Sequence, residues 1–184
     1  MKSSLRLAFC LTSALLASGS LFAQEIKFGL QGTLAYPMSD LGDQGLLDNA
    51  LGYGLGAHMV IGFSGGHAVV PRLDYTTFEK NHRKVQTLHL GADYNYFFSQ
   101  QVNKGAYLGA GLGFGLAKFE VDRPGMSADD TPNAPYGSVS AGYMFTPNMG
   151  AELRYVYTKY KPELFGAKPE LTSPTLNATF IYRF

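Results

Sequence analysis

Apolar and polar residues alternate one for one along eight separate stretches of this chain, and a period of two restricts those stretches to β-strands with unlike faces. Segment 25–36 sets Ile26, Phe28, Leu30, Leu34 and Tyr36 against Lys27, Gln31 and Thr33, and segment 51–63 sets Tyr53, Leu55, Met59, Ile61 and Phe63 against glycines and His58. Segment 68–78 sets Val69, Leu73 and Tyr75 against Arg72, Asp74 and Thr76. Pro71 lies in its middle, and because proline cannot donate to a ladder it predicts a bulge or a strand start there. Segments 85–98, 106–119, 136–145 and 150–160 repeat the pattern, each with a row such as Leu88, Leu90, Ala92 and Tyr94 opposed by His89, Gly91 and Asp93. The last, 175–184, places Leu176, Ala178, Phe180, Tyr182 and Phe184 on one side.

The connections sort into two kinds. Those at 64–67, 99–105 and 146–149 are short, whereas 37–50, 120–135 and 161–173 are long and 79–84 is intermediate. Short turns alternating with larger loops are what an even-numbered, closed, antiparallel sheet requires when both ends of the chain lie on the short-turn side. The charges decide which face looks outward. A lipid-facing Arg or Lys at a bilayer midplane costs about 2–4 kcal/mol, so Arg72 and Arg154 belong in the interior with Asp74, His89, Asp93 and Glu152, and the aliphatic rows face hydrocarbon. The expected fold is all-β: an eight-stranded antiparallel up-and-down transmembrane β-barrel over residues 24–184.

Residues 1–23 read as a secretory leader. Lys2 and Arg6 form its charged start, 7–16 is largely apolar, and Leu21-Phe22-Ala23 precedes the expected cut before Gln24. The only cysteine, Cys10, lies inside that leader behind Phe9, which disfavours lipidation and leaves the mature chain without a thiol for disulfides, zinc or nucleophilic catalysis. With Lys2 and Arg6 gone the remainder is close to neutral, so no basic field for nucleic acid exists. Only 16% of residues are charged, and 12 tyrosines, 13 phenylalanines and 22 glycines favour strands joined by turns. No stretch after residue 23 is apolar enough to span as a helix.

With its leader, its alternating segments, Gly150-Ala151-Glu152-Leu153-Arg154-Tyr155 and the closing Phe180-Ile181-Tyr182-Arg183-Phe184, the chain resembles the small bacterial outer-membrane β-barrels that include the OmpA membrane domain, OmpX, OmpW and the opacity proteins. The resemblance implies a monomer in the outer membrane, in contact with its lipid and lipopolysaccharide. It also implies insertion by the outer-membrane assembly machinery, which in this family reads the C-terminal strand, here Phe180, Tyr182 and Phe184. The chain is expected to lack the peptidoglycan-binding domain of longer relatives. Tryptophan is absent, and Tyr53, Tyr75, Tyr94, Tyr96, Tyr143, Tyr155, Tyr157 and Tyr182 take the interfacial role instead.

Arg72, Asp74, His89, Asp93, Glu152 and Arg154, with His58, suit either a proton relay or ion channel, or a salt-bridged plug. An eight-stranded barrel has room only for its own side chains, which favours the plug. The run Gly109-Ala110-Gly111-Leu112-Gly113-Phe114-Gly115 lacks the Lys-Ser/Thr and helix of a phosphate loop, so its glycines read as a smooth inner wall for side chains from across the barrel. His58, His67, His82 and His89 have no metal-ligand spacing, and no histidine is followed two residues later by the serine of lipid A deacylases. No catalytic residue, metal or cofactor is therefore expected. Lys80, Arg83 and Lys84 form a concentrated basic hairpin suited to lipopolysaccharide phosphates. Loops 37–50 and 120–135 suit either recognition of an extracellular partner or a non-binding cap. The reading is a structural or surface-interaction barrel with a filled polar lumen and four extracellular loops. Its rivals are a narrow pore for small, hydrophobic solutes, a lipid A-modifying enzyme, and a soluble lipocalin-like barrel with the faces inverted.

Overall fold

The computed structural model describes residues 25–39, 50–80, 83–123, 126–160 and 171–184, without the side chains of 83, 119–123, 126–130 and 171. The leader, most of loop 37–50, His82 and much of loop 161–173 lie outside the described residues. The strands are β1 (Glu25–Pro37), β2 (Gly52–Gly62), β3 (His67–Lys80), β4 (Arg83–Phe97), β5 (Gly105–Arg123), β6 (Met126–Asp130), β7 (Asn133–Met144), β8 (Met149–Tyr160), β9 (Leu171–Thr172) and β10 (Thr175–Arg183). β6 and β9 only extend β5 and β8 past one rim. The other eight each pair antiparallel with their neighbours, and β10 joins both β8 and β1, so the sheet closes. Closure pairs the edges that hydrocarbon would otherwise leave unsatisfied.

Side-chain direction follows the alternation. β8 shows it without interruption: every second residue from Gly150 to Tyr160 is buried and the intervening ones are exposed. Leu55 and Leu112 are each 74% exposed on the outer wall, whereas Arg72 and Arg154 are 4% and 3% exposed in the interior. The lipocalin-like inversion is thereby excluded, because a soluble barrel would reverse that assignment.

Three local expectations change. Pro71 makes neither a bulge nor a strand start: His58↔Arg72 and Ile61↔Val69 keep one register across it, and on the other side Pro71↔Ala92 lies in an unbroken ladder. The missing donor interrupts pairing on the β2 side alone. Segment 120–135 is not a loop, because β5 runs on to Arg123 and returns as β6, with β4 accompanying it as far as Arg83↔Val121. In the sequence Phe119 and Val121 continue the alternation against Glu120 and Asp122. Third, the glycine wall of β5 gives room first to its flanking strands, and at Gly115 to Tyr160 of β8 beyond them. A Cβ at Gly109, Gly111, Gly113 or Gly115 would strike Asn95, Asp93 or His89 of β4, Ser140, Ser138 or Tyr136 of β7, or Tyr160 of β8.

The interior is layered along the barrel. At the short-turn end Val60, Ala68, Val70, Phe97, Tyr107 and Met144 form one apolar layer, and at the opposite end Ala35, Phe78, Val85, Ala117, Ala134 and Tyr160 form another. The charged residues of β3, β4 and β8 lie between them.

Candidate functional site

β3 carries Arg72 and Asp74 on its inward parity, β4 supplies Asp93, and β8 supplies Glu152 and Arg154. The structure brings these five together. The Arg72 guanidinium lies 2.6 Å from Asp93, 3.0 Å from Glu152 and 3.2 Å from Asp74. Arg154 lies 3.0 Å from Asp74 and 3.0 Å from Asp93, so two carboxylates are shared by both cations.

Neutral groups complete the layer. Arg72 Nη2 donates to Gln31 Oε1 at 3.0 Å while the Gln31 amide donates to Asp74. The Ser138 hydroxyl donates to Asp93 at 3.2 Å and accepts from Arg154 at 3.0 Å. Tyr107 sits with its ring in the lower apolar layer and its hydroxyl donating to Glu152 at 2.8 Å, which ties the two layers together. The Arg154 guanidinium also lies 5.6 Å from the centre of the Tyr136 ring.

Gln31, Ser138 and Tyr107 were not singled out from the sequence as members of this site. Parity alone places each of them inward, and that was the available signal; which neighbours they reach depends on the stagger of the strands. His89 lies beside the cluster rather than in it, edge-on to Tyr136 at 5.0 Å and with Nε2 3.3 Å from the Tyr160 hydroxyl. His58 meets Arg183 instead of a carboxylate. Among the described residues no group of three His, Cys, Asp or Glu side chains is arranged to hold a metal ion.

What the arrangement does physically is set a buried ion-paired layer across the barrel interior. One cavity, of about 20 Å³, lies beside Arg72, Asp74, His89 and Arg154 and has room for about one water. Buried ion pairs do not by themselves guarantee stability, since desolvation opposes the attraction, but stripping one partner leaves an uncompensated charge. The layer is therefore held by mutual need.

The other sequence-derived sites are on the outer wall and the rim. Phe180 and Tyr182 on the outward face of β10, and Phe184 just beyond it, are 50%, 47% and 62% exposed. Lys80 pairs with Arg83 and Glu79 with Lys84 across the β3–β4 connection, which shortens it to residues 81–82. Lys80 and Lys84 are half-buried there, and the Arg83 side chain lies outside the described set.

The family model for the outer membrane protein beta-barrel domain matches residues 8–184. Among solved structures, Ail, the attachment invasion locus protein of Yersinia pestis, is 16% identical, with 86% of this chain and 97% of that one covered, at a TM-score of 0.61. The N-terminal β-barrel domain of Pseudomonas aeruginosa OprF is 11% identical over 87% and 100% of the two chains, at 0.60. Neisserial surface protein A is 17% identical over 86% and 97%, at 0.55. At these identities the likeness is one of fold. No curated protein sequence matches the chain.

Proposed function

The chain belongs to the outer-membrane β-barrel domain family and is an outer-membrane protein, and from that premise we propose that it acts as a closed scaffold presenting surface elements, not as a pore or an enzyme. One observation carries this reading: the lumen is occupied in series by an apolar layer, an ion-paired layer and a second apolar layer. Hydrated ions would have to break all three. The test is conductance of the refolded protein in planar bilayers, where the expected trace has no stable openings; a reproducible unit conductance would restore the narrow-pore reading.

The surface role belongs to the rim opposite the short turns, which in this fold faces the cell exterior. There β5 and β6 stand beyond the barrel, and recognition on rigid barrels resides in such extensions. Lys80, Arg83 and Lys84 lie at the neighbouring tip and suit contact with lipopolysaccharide phosphates. Reversing their charges is expected to raise sensitivity to detergents and hydrophobic antibiotics, and unchanged sensitivity removes the lipid contact. Lipid A of unaltered mass in a deletion strain is the outcome expected of a non-enzyme.

A further inference from the structure

The turn from β4 to β5 dips inward at Val102 and Asn103, while Ser99, Gln100, Gln101 and Lys104 stay exposed. Gln100, Asn103 and Gly105 take φ of 57°, 64° and 69°, left-handed conformations that reverse the chain within a few residues. The Ser99 hydroxyl pins that path by donating to the Lys104 carbonyl at 2.7 Å. Asn103 is consequently only 1% exposed, and Val102 packs on the apolar layer of Val60, Phe97 and Tyr107.

The neighbouring turn leaves it a seat. A Cβ at Gly62 would come within 3.1 Å of both Val102 methyls, and one at Gly66 would come within 2.8 Å of the Gln100 Cα. From the other side of the barrel Arg183 reaches in. Its Nη1 donates to Asn103 Oδ1 and its Nε donates to His58 Nε2 at 3.3 Å, with the arginine itself 1% exposed. The Arg183 backbone is held in turn by Asn148: its N–H donates to the Asn148 carbonyl at 2.7 Å, and its carbonyl accepts from Asn148 Nδ2 at 2.6 Å. The β2–β3 and β4–β5 turns thus touch, and Arg183 links the β4–β5 turn to Asn148 of the β7–β8 turn.

We propose that the β4–β5 turn is a floor strap, in which Val102 stoppers the periplasmic mouth of the lumen and the Arg183–Asn103 hydrogen bond latches the turn across the barrel. Arg183 stands on β10, whose pairing with β1 completes the cylinder. The latch therefore bridges the closing strand to the β4–β5 turn across the lumen. The strap rests on the closed-lumen reading but seals one end only.

Thiol accessibility tests it. Val60 is fully buried directly above the strap, and the chain carries no cysteine after residue 23. In the refolded full mature barrel a Val60→Cys thiol is expected to resist a charged maleimide. Adding Asn103→Gly or Arg183→Met is expected to speed labelling about ten- to hundredfold, the population shift that follows loss of one charge-assisted hydrogen bond from a two-state element. Asn103→Asp, which keeps an acceptor for Arg183, is expected to preserve protection. Rapid labelling with the latch intact, or equally slow labelling without it, overturns the strap. Should either latch variant lose the heat-modifiable gel band of a folded barrel, Val102→Gly removes the stopper without touching a hydrogen bond, and a protected thiol there is equally fatal. Conductance of the unaltered protein reports separately on the lumen: an accessible thiol without channel openings defeats the strap alone.

Discussion

A single interior side chain in this protein matters through what it leaves behind. Arg154 sits between Asp74 and Asp93, so Arg154→Ala leaves Arg72 as the one cation facing Asp74, Asp93 and Glu152, and a loss of about 3–5 kcal/mol is expected from removing one partner of a buried pair. Urea unfolding of the refolded barrel, followed by tyrosine fluorescence and gel mobility, measures it. Glycines offer a second contrast at this scale. Gly111→Ala would press its methyl onto the Asp93 carboxylate, while Gly32→Ala meets nothing within 4 Å. The first is expected to lower the urea midpoint clearly and the second to leave it within the error of the measurement. Both glycines lie in alternating strands of the sequence; only the inward parity of Gly111 beside Asp93 distinguishes them.

At the scale of elements, the outer wall is under a different constraint from the inner one. Leu112 projects from the middle of β5 into hydrocarbon, so Leu112→Arg is expected to cost about 2–4 kcal/mol, and reduced recovery of folded barrel in lipid vesicles checks it. The β5–β6 hairpin should be separable from the barrel. Below it the ladders Thr87↔Ala117 and Leu116↔Asn133 are complete on both sides, so replacing 119–130 with a tight turn is expected to keep heat-modifiable mobility while removing any surface recognition that resides there. Loss of folding would show instead that the hairpin is part of the barrel's own stability. The strand ends of the barrel were legible to within a few residues because alternation is a local property. The hairpin was not, since proline, glycine and charge at 120–135 describe a turn-rich exposed segment whether or not its backbone pairs.

For the whole molecule, closure is what converts eight marginal ribbons into one stable object. No pair of these strands buries enough to stand alone, and the charged layer draws on residues from β1, β3, β4, β5, β7 and β8 simultaneously. Hydrogen exchange is accordingly expected to be slow and cooperative across the eight barrel strands, with β6 and β9 exchanging faster because neither belongs to the closed ladder. Uniform protection of β6 with the barrel would contradict that division.

The sequence by itself determined strand number, parity and the outward direction of the aliphatic rows, since a charge facing hydrocarbon is costly wherever its strand sits. It also named Arg72, Asp74, Asp93, Glu152 and Arg154 as interior residues. Only the tertiary structure decided that Arg72 and Arg154 share Asp74 and Asp93, that Gln31, Ser138 and Tyr107 complete their coordination, and that Val102, Asn103 and Arg183 meet below them. Apart from Arg72 with Asp74 on the same strand, those contacts join residues between 16 and 80 positions apart. Parity says which wall a side chain leaves, whereas the stagger of strands around the closed cylinder sets the height at which it arrives, and that stagger exists only once the first and last strands have paired.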